Sequence, residues 1–112
     1  MTVAYAYRAQ CLRIIDGDTI HADMDLGCDC HIRLTLRLLG INAPEMRTPE
    51  GVIAKGALTG LLGRPGELTV ATHKDRKEKY GRYLAVLHVD DLDVNAEMVR
   101  LGHAEPYDGG RR

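Results

Sequence analysis

Four segments of the chain carry polar side chains that a packed core does not need. In Asp16-Gly17-Asp18-Thr19 a tight turn accounts for the first two residues but leaves the second carboxylate unexplained unless the turn is simply solvated. Arg37-Leu38-Leu39-Gly40-Ile41-Asn42-Ala43-Pro44-Glu45 places an arginine where a strand ends and follows it with an amide and a carboxylate. Alone, that segment also reads as an ordinary strand end that Pro44 stops. Lys74, Arg76, Lys77, Lys79 and Arg82 form a basic run around Tyr80. Such a run is usually a solvated loop, but a tyrosine within it suits single-stranded nucleic acid, because stacking contributes ~1–3 kcal/mol per base in any sequence. Tyr107 is the one residue of the last segment that we place in a site. A fifth constellation, Cys28-Asp29-Cys30-His31, has soft-metal residue types and defines a separate reading as a zinc module. Its thiols are closer than zinc knuckles space them, no second ligand pair follows, and it runs into an alternating strand, so the strand reading is preferred.

The chain that must position these groups has 112 residues, 15 Lys and Arg against 16 Asp and Glu, and a formal net charge of -1. Its length fits one small domain over 1–112 and excludes a two-domain dinucleotide enzyme, an eight-fold barrel or a kinase. The balanced charge means that any phosphate site must be a local cluster. With no Trp, no Phe and five Tyr, the tyrosines are the few stacking surfaces. Three cysteines without an export signal argue against a disulfide framework. No stretch is long enough to cross a bilayer, so the expected location is cytoplasmic, with no membrane partner, in a chain that a phage could encode.

Residue patterning supplies the elements. Tyr5 to Ile15 favours a strand, Asp16-Gly17 a hairpin turn, and Thr19 to Leu26 alternates with Ile20, Ala22, Met24 and Leu26 on one face. A third strand follows with Cys30, Ile32, Leu34, Leu36 and Leu38 inward. Thr48-Pro49-Glu50 starts a helix whose stripe is Ile53, Ala54, Ala57, Leu58, Leu61 and Leu62, ending at Gly63. Glu67 to Thr72 and Tyr83 to Val89 read as two more strands, and Val94 to Leu101 as a short helix ended by Gly102. This is a β-rich α+β order: five strands, a helix between the third and fourth and a short C-terminal helix, as in the OB-fold, a small Greek-key barrel.

Ile15-Asp16-Gly17-Asp18-Thr19-Ile20, Leu36-Arg37-Leu38-Leu39 with Pro44-Glu45, Lys79-Tyr80-Gly81-Arg82, and Val94-Asn95 with Val99-Arg100 together resemble the staphylococcal nuclease (thermonuclease) family, in order and over nearly the whole chain. The resemblance implies an OB-type barrel and calcium-dependent hydrolysis of phosphodiesters in DNA and RNA, favouring single strands. It implies Asp18 as principal calcium ligand, Asp16 as support through water, Asn42 where a second carboxylate ligand normally stands, and Ala43 as donor of a backbone carbonyl. Glu45 matches the general base, Arg37 and Arg82 the arginines on the scissile phosphate, Lys79 and Tyr80 substrate contacts with Tyr80 stacking on a base, and Tyr107 a tyrosine near the terminal phosphate.

Two departures qualify this. Asn42 removes a negative charge, which implies weaker calcium binding or another preferred divalent metal. The type member also continues beyond the counterpart of Tyr107 into another tyrosine and a third helix; the expectation is a barrel complete without it or a homodimer that covers the surface. The alternative function is a nucleic-acid or protein interaction module with a weakened metal site.

Overall fold

The computed structural model describes the backbone of residues 5–77 and 82–107 and the side chains of 5–72 and 82–107. Three antiparallel strands open the chain: β1 (Tyr5–Asp16), β2 (Thr19–Gly27) and β3 (Cys30–Leu38). There follow β4 (Ile41–Asn42), α1 (Pro49–Leu62), β5 (Leu68–Lys77), β6 (Tyr83–Val89), β7 (Leu92–Asp93), α2 (Val94–Arg100) and β8 (Glu105–Pro106). The main sheet runs β3-β2-β1-β5-β6-β7. Its ends join where β3 pairs with β6 in parallel, Leu36 opposite Tyr83, Arg37 opposite Leu84 and Leu38 opposite Ala85. That ladder closes β1, β2, β3, β5 and β6 into the expected five-stranded barrel.

Alternation explains the barrel interior. Ile20, Ala22 and Met24 of β2 and Leu36 and Leu38 of β3 are fully buried with Val70, Ala85 and Leu87. Burying each large apolar side chain stabilises the fold by about 1.5–3 kcal/mol relative to leaving it exposed. Leu26 and Ile32, expected inside, are instead 47% and 43% exposed, and Cys30 is exposed too. Among the described residues β6 meets β3 only from Leu36 to Leu38, so the turn end of the β2–β3 hairpin reaches past the barrel. At that tip Cys28 and Asp29 have φ of 55° and 63°, the left-handed pair of a tight two-residue hairpin loop. No group of three or more His, Cys, Asp or Glu among the described residues is placed to hold a metal ion, at this tip or elsewhere.

Helix α1 begins as its sequence dictates: Thr48 is the N-cap, its hydroxyl accepting from the Gly51 N–H at 3.0 Å, and Pro49 opens the first turn. Its buried stripe of Ala54, Leu58 and Leu61 is narrower than expected, leaving Ile53 58% exposed. Strand β5 extends to Lys77, past the expected end at Thr72. Helix α2 is capped by Asp93, whose carboxylate accepts from the Ala96 N–H at 3.0 Å, and Gly102 with φ of 83° turns the chain at its far end. Among the described residues no helix is long and apolar enough to cross a membrane.

Candidate active site

The β1–β2 turn consists of Gly17 and Asp18, with Asp16 opposite Thr19 across it. Asp16 accepts a hydrogen bond from the Asp18 N–H at 3.0 Å, a side-chain-to-backbone closure that aspartate makes readily in turns. A Cβ on Gly17 would lie 2.8 Å from the Cβ atoms of both Ala43 and Ala54. Only glycine lets this turn seat against the loop after β4 and against α1.

Strand register then brings Arg37 to the turn, because it pairs with Thr19. The Arg37 guanidinium is anchored from several directions. Nη1 donates to the carbonyls of Leu38 and Ile41 at 3.1 and 3.0 Å. Nη2 donates to Asn42 Oδ1 at 3.1 Å and lies 3.6 Å from Asp18 Oδ2. The Tyr107 ring sits 5.5 Å from the guanidinium carbon, within cation–π range. Tyr107 is held there by its N–H donating to the Gly40 carbonyl at 2.8 Å, next to the β4–β8 pairing of Asn42 with Glu105.

Asp18 is buried, and its carboxylate organises both sides of the site. Oδ1 accepts from the Thr19 hydroxyl at 3.0 Å, while Oδ2 accepts from the Ala43 N–H at 2.9 Å. Burial pushes the Asp16 carboxyl above its ordinary range, and the neighbouring Asp18 carboxyl adds to that rise, against a lowering by the Asp18 N–H. Two carboxylates held together and partly desolvated accumulate negative charge that a cation would neutralise. Both are oxygen donors of the kind a hard divalent cation takes.

Glu45 stands at the rim, its side chain 69% exposed and paired with Arg47 Nε at 3.0 Å. Its backbone is fixed: the Glu45 carbonyl accepts from the Thr48 hydroxyl at 2.6 Å and the Thr48 N–H at 3.0 Å, and it packs so closely on Gly51 that a Cβ there would collide with it. Arg82 is half-buried and immediately precedes Tyr83, which pairs with Leu36. The parallel β3–β6 junction therefore ties its backbone to the strand end that carries Arg37. Lys79 and Tyr80 lie outside the described residues.

The structure thus gathers Asp16, Asp18, Arg37, Asn42, Ala43 and Tyr107 around one turn, while the contacts of Glu45, two residues after Ala43, are with Arg47, Thr48 and Gly51. Sequence reading missed three supports: Thr48 as a tether of Glu45, Thr19 as a donor to Asp18, and Asn95. The Asn95 amide is 4% exposed and bonds three backbone groups, accepting from Leu87 N–H and donating to the carbonyls of Leu39 and Ala85. Only Thr48 carried a local signal, as a helix cap.

Comparison with known proteins places the chain in a family. A family model described as staphylococcal nuclease homologue matches residues 35–111. The chain is 36% identical over 109 residues to Protein ParB of Escherichia coli, an alignment covering 89% of this chain and 57% of that protein. It is 35% identical over 97 residues to the Thermonuclease of Staphylococcus intermedius, covering 82% and 55% respectively. Endonuclease YhcR of Bacillus subtilis (strain 168) is 32% identical over 108 residues, which cover 85% of this chain but 8% of YhcR. The chain therefore spans little more than half the length of the first two and a small part of the third. On the family match and these identities, the chain belongs to the staphylococcal nuclease homologue family.

Proposed function

We propose that the protein is a metal-dependent nuclease that hydrolyses phosphodiester bonds of DNA and RNA and favours single strands. The observation that carries this reading is the seating of Arg37 against the buried Asp18 carboxylate, which also holds the Ala43 N–H two residues before the exposed Glu45. A binding module has no use for an unburied carboxylate facing a phosphate.

Asp18 and Asp16, with the Ala43 carbonyl, would hold a calcium ion or another divalent metal. When bound, such an ion supplies Lewis-acid withdrawal of charge from a phosphate oxygen. Arg37 presents a permanently charged donor group whose orientation is already fixed by its carbonyl and Asn42 bonds, and Arg82 supplies a second guanidinium to the equatorial oxygens. Glu45, open to water, accepts a proton from the attacking water, an effect worth typically 10²–10⁴-fold. The new P–O bond forms as the bond to the leaving oxygen breaks in line with it, with no covalent enzyme intermediate. Tyr80 stacks on a base, Lys79 and Tyr107 contact the substrate, and the preference for single strands follows from stacking on an unpaired base.

The test is cleavage of a labelled single-stranded oligonucleotide and its duplex by the purified chain. Cleavage should appear with calcium, stop with chelator and be faster on the single strand. Binding without cleavage across calcium, manganese and magnesium would assign the chain to a nucleic-acid interaction module instead.

A further inference from the structure

We infer that Asn42 is a phosphate donor of the substrate site rather than a ligand of the cation, an assignment that rests on the nuclease reading above. Arginine can only donate hydrogen bonds, so the 3.1 Å contact with Arg37 Nη2 fixes which end of the Asn42 amide faces the guanidinium: Oδ1. The oxygen that would coordinate a metal is thereby engaged by a cation of the protein itself. The other end of the amide, Nδ2, makes no hydrogen bond among the described residues. Among the described residues no buried side-chain nitrogen or oxygen lacks a partner, so on this half-buried residue Nδ2 must reach the surface.

The site consequently offers two N–H donors on Asn42 beside a guanidinium whose Nε–H also has no partner among the described residues. Asn amides and Arg guanidinia are ordinary donors to phosphate oxygens. An aspartate here would accept at both ends, add a third negative charge next to Asp16 and Asp18, and oppose a phosphodiester. Asn42 thus shifts the balance of the site from cation ligation towards anion binding.

The discriminating experiment measures the affinity of a fluorescently labelled single-stranded DNA oligonucleotide by anisotropy in chelator, where no cleavage interferes. The wild type should bind tightest, Asn42→Ala roughly tenfold weaker, and Asn42→Asp on the order of tenfold weaker again through like-charge opposition. A parallel calorimetric titration with calcium should leave Asn42→Ala within about twofold of the wild type, because no ligand oxygen has been removed. Asn42→Leu replaces the aspartate variant in the comparison if the latter does not fold. Equal or tighter oligonucleotide binding by Asn42→Asp, or a large loss of calcium affinity in Asn42→Ala, overturns the assignment. A wild type that fails to bind the oligonucleotide at all overturns the nuclease reading, and the role of Asn42 with it.

Discussion

Asp18 uses both carboxylate oxygens, one accepting from the neighbouring Thr19 at the start of β2 and the other joining the turn to Ala43 beyond β4. Asp16 beside it is partly desolvated and lies close to the Asp18 carboxyl, and its own carboxyl is pushed up for those reasons. The sign of the consequence for stability is definite. Between the ordinary aspartate range, near about 3.9, and the raised folded value, the folded state holds more protons than the unfolded chain. Asp16 therefore contributes stability at low pH that is lost as pH rises through the folded value. In metal-free buffer, denaturant titrations should show the wild type losing stability relative to Asp16→Asn as pH rises across that window. A difference that does not change with pH would show that the pair is not strained. These acidic residues were legible in the sequence because their spacing is local and a turn needs only one of them. The orientation of Asn42 was not, since Arg37 reaches it only after β3 and β4 have formed.

At the scale of elements, the loop from Asn42 to Glu45 is placed by two close approaches and one cap. Gly17 admits the turn against Ala43 and Ala54, Gly51 admits the Glu45 carbonyl against α1, and Thr48 both caps α1 and tethers Glu45. Thr48→Ala should cost about 1 kcal/mol by loss of the cap alone. It should also lower kcat by loosening Glu45, whereas a cap-only role would change the melting temperature and leave kcat intact. Gly17→Ala should cost about 1–3 kcal/mol, because two side-chain carbons must yield at once, and thermal unfolding measures it directly. Strand faces, the cap at Thr48 and the end of α2 could all be read from periodicity and residue type. What periodicity does not carry is where a strand stops having a partner. Leu26 and Ile32 follow the inward pattern but extend beyond the last rung that β6 offers β3, and the two-residue β4 exists only because β8 returns to pair with it.

For the whole molecule, barrel closure and site assembly are one event. The parallel junction of β3 with β6 ties the strand carrying Arg37 to the segment that delivers Arg82, and Asn95 of α2 fastens it through Leu39, Ala85 and Leu87. Asn95→Ala would leave the Leu87 N–H and the Leu39 carbonyl without their partner, while the Ala85 carbonyl keeps the Leu39 N–H at 2.8 Å, a loss of about 2–4 kcal/mol that denaturant unfolding would report. The order of the motifs along the chain was enough to indicate both the family and the barrel. Asn95 stayed unread as a clamp because its partners lie 8 to 56 residues away in sequence. The central claim is that this closed barrel presents Glu45 as a general base to a phosphodiester held at Asp18 and Arg37. Its most direct test is the single-turnover cleavage rate of a single-stranded oligonucleotide in calcium, comparing the wild type with Glu45→Gln. The account predicts a fall of about 10²–10⁴-fold with little change in oligonucleotide affinity. A Glu45→Gln variant that cleaves at the wild-type rate would contradict it.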